Sequence, residues 1–188
     1  MRVISGKLKG KRLFTPKGRD LRPTSDRVRE AIFDILQNSV ENRIVLDLFA
    51  GTGALGIEAL SRGAKRAVFL EASSRSLAVL RKNIKACGLD RQTEVLALEV
   101  SRGIQVLSRR GEAFDLIFLD PPYGRGLART ALQAISEGEI LAPGARIVAE
   151  HSSAEDLDSI PRLERVDRRK YGSTLVSFFV GPEKRNES

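Results

Sequence analysis

Ile44-Val45-Leu46-Asp47-Leu48-Phe49-Ala50-Gly51-Thr52-Gly53-Ala54-Leu55-Gly56 runs an apolar segment straight into a glycine loop and out again into a helix former. A run this short, bounded by glycines, has the length of a buried strand, from Ile44 to Phe49. Ala54 to Arg62 then reads as a short helix stopped by Gly63, and Ala67 to Leu70 as the next strand. A helix from about Ser74 to Cys87 follows, with Leu77, Leu80, Ile84 and Cys87 on one face and Gly88 just past its end. Cys87 on that face reads as a small core residue. Further strands are expected at Val95 to Leu98, Leu116 to Leu119 and Ile147 to Ala149, with helical stretches between them. This alternation predicts an α/β fold: a mostly parallel sheet with helices on both faces.

Outside that body the pattern changes. Val3 and Ile4, then Leu13 and Phe14, flank Gly6-Lys7-Leu8-Lys9-Gly10-Lys11-Arg12, which predicts short strands joined by a basic, glycine-punctuated turn. Leu21-Arg22-Pro23-Thr24-Ser25 reads as a connector into a helix capped by Thr24 or Ser25. Asp26 sits in its first turn, and Val28, Ala31, Ile32, Ile35 and Leu36 recur at helical spacing. Near the other end, Arg165 to Lys170 leads through Tyr171-Gly172-Ser173 into the β-branched and aromatic Thr174 to Val180, a terminal hairpin. The chain is thus divided into a basic arm (1–24), a main domain (25–182) and a frayed tail (183–188).

With 188 residues and 41% apolar content, one substantial core is expected. No run of about 18 apolar residues is present, and the N-terminus lacks the apolar centre of a secretory signal, so a cytoplasmic protein without a membrane partner is expected. One cysteine, Cys87, and one histidine, His151, exclude a disulfide framework and a Cys/His zinc site within one chain, and no metal is expected. His151, close after a strand, reads as structural. The formal charge of +8 is concentrated at one end: residues 1–29 hold ten Lys/Arg against two Asp/Glu, and the rest of the chain is balanced. Such an arm suits a polyanion, because neutralised phosphates release counterions; the alternative is a solvated basic tail.

In the glycine loop, Gly51 and Gly53 let the chain bend tightly and a ligand approach the backbone, and the helix start adds N–H donors. Gly51-x-Gly53-x-x-Gly56 also fits a dinucleotide fingerprint, with Glu71 about 20 residues on to hold ribose hydroxyls. Asp47 shifts the reading. A carboxylate just ahead of the loop would repel a pyrophosphate, yet it can pair, directly or through water, with the ammonium of a methionine moiety. S-adenosyl-L-methionine meets both demands, with Glu71 on its ribose. Glu99 is a candidate for its adenine amino group, or else a solvated acid at a strand end.

Phe114-Asp115-Leu116-Ile117-Phe118-Leu119 is a buried strand followed at once by Asp120-Pro121-Pro122-Tyr123. The prolines fix φ and remove N–H donors, leaving the Asp120 carboxylate and the Pro121 carbonyl as a pair of acceptors. Two acceptors suit an NH₂ group: holding both hydrogens draws the nitrogen lone pair out of conjugation and aims it at a methyl group. Tyr123 is placed to stack on a base, offsetting the cost of extracting it.

Asp47 to Gly53 (with Phe49 among the cofactor candidates) followed by Asp120-Pro121-Pro122-Tyr123 resembles the amino-methyltransferase branch of the Rossmann-like class I methyltransferases. Ile4-Ser5-Gly6-Lys7 through Gly10-Lys11-Arg12-Leu13, then Leu21-Arg22-Pro23-Thr24-Ser25-Asp26-Arg27-Val28-Arg29-Glu30, resembles the RsmD family of bacterial 16S rRNA (guanine-N2)-methyltransferases, over Val3 to about Val180. The resemblance implies methyl transfer to N2 of one guanine of 16S rRNA within the small ribosomal subunit. It also implies a seven-stranded sheet with an antiparallel last strand, and an N-terminal hairpin that helps grip RNA. Glu99-Val100 departs from the Asp-Ala that this family often carries there.

Arg22, Arg27 and Arg29 are the expected phosphate contacts, with Lys7, Lys9, Lys11 and Arg12 steering and Arg168 to Lys170 extending the surface. A monomer is expected. Competing readings are transfer to adenine N6 or to a protein glutamine, a nicotinamide-dependent oxidoreductase, and a noncatalytic RNA-binding protein.

Overall fold

The computed structural model describes residues 1–15 and 26–183. The expected connector with its capping residues, Arg22, and the tail from 184 onward lie outside the described residues.

The strands are β1 (Ile44–Leu48), β2 (Arg66–Leu70), β3 (Thr93–Leu96), β4 (Phe114–Leu119), β5 (Leu141–Ser152), β6 (Glu164–Tyr171) and β7 (Thr174–Val180). They form one sheet in the order β3-β2-β1-β4-β5-β7-β6. β1 to β5 pair in parallel, and β7 lies antiparallel between β5 and β6. Two residues, Gly172 and Ser173, link β6 to β7, a hairpin as expected.

The helices are α1 (Asp26–Leu36), α2 (Ala54–Ser61), α3 (Ser74–Cys87), α4 (Val100–Arg109) and α5 (Leu127–Glu137). Because side chains alternate across a strand, the sheet builds two cores. On one face Val45, Phe69, Leu116 and Phe118 meet Ile32 and Phe33 of α1, Ile57 of α2 and Leu80 and Ile84 of α3. On the other, Leu46, Leu70, Ile117 and Leu119 meet Ile104 and Leu107 of α4 and Leu132 and Ile135 of α5. Cys87 joins the first core, and burial raises its thiol pKa although Lys11 opposes the shift.

Three boundaries differ from expectation. β3 begins and ends two residues early, because Ala97 to Glu99 turn out of the sheet and Glu99 becomes the residue before α4. β5 is far longer than Ile147 to Ala149. Its Ala142-Pro143-Gly144 segment, which resembles a turn, sits within the strand as an irregularity that shifts the pairing register between Leu141 and Arg146. The arm pairs antiparallel as expected but over less than two full strands: Val3 N donates to Lys11 O (3.0 Å), Gly10 N to Val3 O (2.9 Å) and Leu13 N to Met1 O (3.2 Å). A single antiparallel bridge joins Arg2 to Arg12, and Gly6–Leu8 form a 3-10 turn. The ladder ends where Lys11 N turns to Leu8 O (3.0 Å), and the N–H groups beyond it go to α2: Glu58 takes those of Ile4 (2.7 Å) and Ser5 (2.9 Å), and Ser61 takes that of Leu8 (2.9 Å).

The arm is therefore fastened to α2, with Val3 and Leu13 in the core. Gly6, at φ +78°, makes the approach possible: a Cβ there would lie 1.9 Å from the carbonyl oxygen of Ser61.

Candidate active site

Parallel strands bring their carboxyl ends to one edge, where open α/β sheets bind ligands. Leu48 lies beside Leu70 and Leu119, and Leu119 beside Ala149. Phe49, Glu71, Asp120 and Glu150, each one residue further on, therefore share that edge.

The glycine loop is held open over it. Phe49 adopts φ +60°, Ala50 donates its N–H to Leu70 O (3.0 Å), and Gly53 donates to Ala50 O (2.7 Å). Gly53, at φ +80°, precedes α2, and a Cβ on it would lie 2.4 Å from Leu80 Cδ1, so only glycine lets the loop settle on α3. At Gly51 the space above Cα is open; only Phe49 O, 3.8 Å away, comes near where a Cβ would stand. Glu71 ties the loop to β2: its Oε2 accepts from Gly51 N (2.8 Å) and its Oε1 from Ser73 N (2.7 Å). Each oxygen keeps a lone pair for a further donor such as a ribose hydroxyl.

Asp47 is only 2% exposed, and its Oδ2 accepts from Gly56 N (2.9 Å) in the first turn of α2. Burial holds its pKa well above the usual carboxylate range. Asp120 and Glu71 push the same way, and the Gly56 N–H opposes them. A raised folded-state pKa means that the unfolded chain ionises first as pH rises, so stability falls from the ordinary carboxylate range upward. Asp47→Asn keeps an acceptor for Gly56 and removes this cost. Its melting temperature should exceed that of the wild type at neutral pH by a few degrees, the shift that about 1 kcal/mol produces in a domain of this size. The gain should shrink as pH falls toward about 4. Thermal denaturation across that range checks it; a variant less stable than wild type at neutral pH would overturn the assignment.

At the end of β4, Asp120 is half-buried, Pro121 buried, Pro122 exposed and Tyr123 half-buried. The Tyr123 hydroxyl donates to Glu150 Oε1 (2.7 Å) and shares a hydrogen bond with Thr174 Oγ1 (2.9 Å). Burial raises the pKa of this phenol, and Glu150 and Asp120 add to the shift against the Thr174 hydrogen bond, so it stays protonated and acts as an anchor. The charge of Asp120 thus raises the pKa of both Asp47 and Tyr123.

Glu99 is exposed, and among the described residues no side-chain hydrogen bond or ion pair links it to the loop or the turn. His151 is buried, between Ser177 Oγ (2.9 Å) and the carbonyl of Ser152 (3.0 Å), and burial lowers its pKa; it is a structural residue. Among the described residues no cluster of His, Cys, Asp or Glu is arranged to hold a metal ion, and no helix is long and apolar enough to cross a membrane.

Of the basic candidates, Lys7, Lys9, Lys11, Arg12 and Arg27 are exposed, as are Arg168 to Lys170 on β6. Arg29 requires correction. It is 0% exposed and binds inward, to Arg2 O (2.5 Å) and Asp26 Oδ1 (3.1 Å), with Glu58 3.9 Å away, so it braces the arm and is not presented to a phosphate. Burial lowers its pKa while both acids oppose the shift. Sequence reading also missed Glu58, Asn83, Glu150 and Thr174. An acid in the otherwise apolar Gly56-Ile57-Glu58-Ala59-Leu60 was a visible signal for the first; the partners of the other three come from distant segments.

The family profile described as Conserved hypothetical protein 95 matches residues 1–180. The ribosomal RNA small subunit methyltransferase D of Escherichia coli K12 is 32% identical over 188 residues, covering 100% of this chain and 93% of that protein. The protein of the same name from Haemophilus influenzae is 35% identical over 150 residues, 80% of this chain and 78% of its own length. A hypothetical protein of Thermus thermophilus superposes with a TM-score of 0.83 at 30% identity, covering 98% of this chain and 99% of that one. The sheet order, the loop and the Asp120 turn thus occur in a chain that matches these relatives nearly end to end, and it belongs to the Conserved hypothetical protein 95 family, which is the RsmD family.

Proposed function

We propose that this protein is an S-adenosyl-L-methionine-dependent methyltransferase acting on the exocyclic N2 amine of a guanine in 16S rRNA. The observation that carries the reading is the meeting, at one sheet edge, of a glycine loop fastened by Glu71 and the Asp120-Pro121-Pro122-Tyr123 turn. The names of the full-length relatives, rRNA small subunit methyltransferases, support the RNA substrate.

The residues present fit the cofactor. Open space over Gly51 admits a ligand against the backbone, and Glu71 offers organised carboxylate oxygens to a ribose. Phe49 lines the loop, and Asp47, with Oδ2 committed to Gly56, has Oδ1 for an ammonium, directly or through water. Glu99, three residues past β3 and directly before α4, is the candidate for the adenine amine. When bound, S-adenosylmethionine supplies a methyl group on a positively charged sulfur.

Asp120 and the Pro121 carbonyl accept the two hydrogens of the guanine amine and free its lone pair for in-line attack. The cofactor, held by Gly51, Glu71 and Asp47, would supply the methyl group that this nitrogen takes up. The amine becomes acidic only as its new bond forms, and Asp120 lies beside it to accept the proton, so no strong base is needed. Tyr123, anchored through its hydroxyl, presents its ring to the base. Lys7, Lys9, Lys11, Arg12, Arg22 and Arg27 engage RNA phosphates. The substrate is the assembling or assembled small subunit, and the enzyme works as a cytoplasmic monomer without a metal.

Incubation with labelled S-adenosylmethionine and undermodified small subunits or free rRNA, followed by nucleoside digestion and mass spectrometry, should yield N2-methylguanosine. N6-methyladenosine in its place would keep the turn chemistry and overturn the base; no label in any RNA would overturn the reading.

A further inference from the structure

We propose that the outward face of α3, together with Phe14 and Lys11 of the arm, is a second RNA-binding surface leading from the arm to the carboxyl edge of the sheet. This rests on the RNA substrate proposed above.

The helix Ser74–Cys87 contains no acidic residue. Its exposed residues include Arg75, Arg81, Lys82 and Lys85, which at 100° per residue fall within about a third of its circumference. The opposite arc, Ser76, Leu77, Leu80, Asn83, Ile84 and Cys87, is buried. Among the described residues Arg81, Lys82 and Lys85 form no salt bridge. Arginines at the amino edge of the sheet do: Arg43 pairs with Asp115, and Arg66 and Arg110 both pair with Glu94 and Glu112. Charge is therefore neutralised at the edge away from the site, while Arg81, Lys82 and Lys85 of α3 face solvent.

Phe14 adds an aromatic to this basic face. The residue is 43% exposed, with Lys82 Nζ 3.7 Å from its ring centroid. The residue is rigidly placed. The side chain of Asn83, itself buried, accepts from Phe14 N (2.7 Å) and donates to Phe14 O (3.1 Å) and to Thr52 O of the glycine loop (2.9 Å). Asn83 thus holds the arm beside α3 and next to the glycine loop, and Lys11, three residues before Phe14, is exposed. A fixed, exposed aromatic among solvent-facing cations is the combination that binds single-stranded nucleic acid: the cations track phosphates and the ring stacks on a base. Lys82 covers one face of the ring by a cation–π contact, which leaves the other face for a base.

The test measures binding of an rRNA transcript across a salt series for the wild type, for Arg81→Glu with Lys85→Glu, and for Phe14→Leu. The charge-reversed protein should lose at least about tenfold in affinity and about 1.4–1.8 from the magnitude of the log–log salt slope, two phosphate contacts' worth. Its KM for RNA should rise in parallel, with kcat, S-adenosylmethionine affinity and melting temperature unchanged. Phe14→Leu should lose about fivefold or more in affinity with the salt slope intact, since stacking releases no counterions. Wild-type affinity and slope in the folded charge-reversed protein would overturn the proposal. So would loss of binding to phosphatidylserine vesicles with RNA affinity unchanged, which would assign the face to a membrane. Failure of the wild type to methylate RNA would sink the functional reading separately, since the binding measurement does not depend on turnover.

Discussion

Replacement of Asp120 by alanine should lower kcat by at least about 10²–10³-fold, the cost of deleting one preorganised polar contact to a reacting group, with S-adenosylmethionine affinity within about twofold of wild type. The asymmetry follows from position. Asp120 ends β4, across the sheet edge from the loop that begins after β1, and the loop is organised by Glu71, Gly53 and the Leu70 carbonyl, none of which depends on Asp120. Removing the carboxylate leaves the Pro121 carbonyl to hold one amine hydrogen, so the nitrogen lone pair stays conjugated with the base. It also removes a negative charge that raises the Asp47 pKa, a change that does not weaken the loop. Single-turnover methyl transfer and calorimetric titration of the cofactor separate the two effects. Retained turnover with lost cofactor affinity would move Asp120 from the reaction to the cofactor.

The largest stability effect is expected at Glu58. Glu58→Ala should destabilise the protein by about 3–5 kcal/mol, the cost of leaving a buried ionic partner uncompensated. For a domain of this size that lowers the melting temperature by about 6–20 °C. Glu58 is 0% exposed and accepts from Ile4 N, Ser5 N and Arg62 Nε (2.8 Å), with the buried Arg29 guanidinium 3.9 Å away. Alanine would orphan two backbone donors and leave Arg29 balanced only by Asp26 and the Arg2 carbonyl. The arm should then detach from α2, which limited proteolysis between residues 1 and 15 would report. A melting temperature within about 2 °C of wild type would mean that α2 does not carry the arm.

The course of β1, the glycine loop and the start of α2 was legible because each relies on local chemistry: an apolar run, glycines where φ is positive, and a helix former immediately after. The α3 boundaries were legible for the same reason, Leu80, Ile84 and Cys87 lying on its buried arc with Gly88 in the left-handed conformation at its end. The arm's turn was legible but its fastening was not, because the N–H groups of Ile4 and Ser5 go to a carboxylate 54 and 53 residues away, and local sequence carries no information on that partner. Arg29 was misread for a related reason. In a basic segment every arginine looks alike, and only packing shows that this one turns inward while Arg27 stays exposed.

The sequence by itself determined the alternation of strands and helices, the glycine loop and the Asp120-Pro121-Pro122-Tyr123 turn, because periodicity, backbone restriction and side-chain chemistry act over a few residues. Only the tertiary structure decided which polar groups meet across the chain. It put Glu71 on the Gly51 amide, Glu150 and Thr174 on the Tyr123 hydroxyl, Glu58 under the arm and Asn83 between the arm and the loop. A buried hydrogen-bonding group must find a partner wherever the fold brings one within about 3 Å, and that distance is set by the packing of the whole chain.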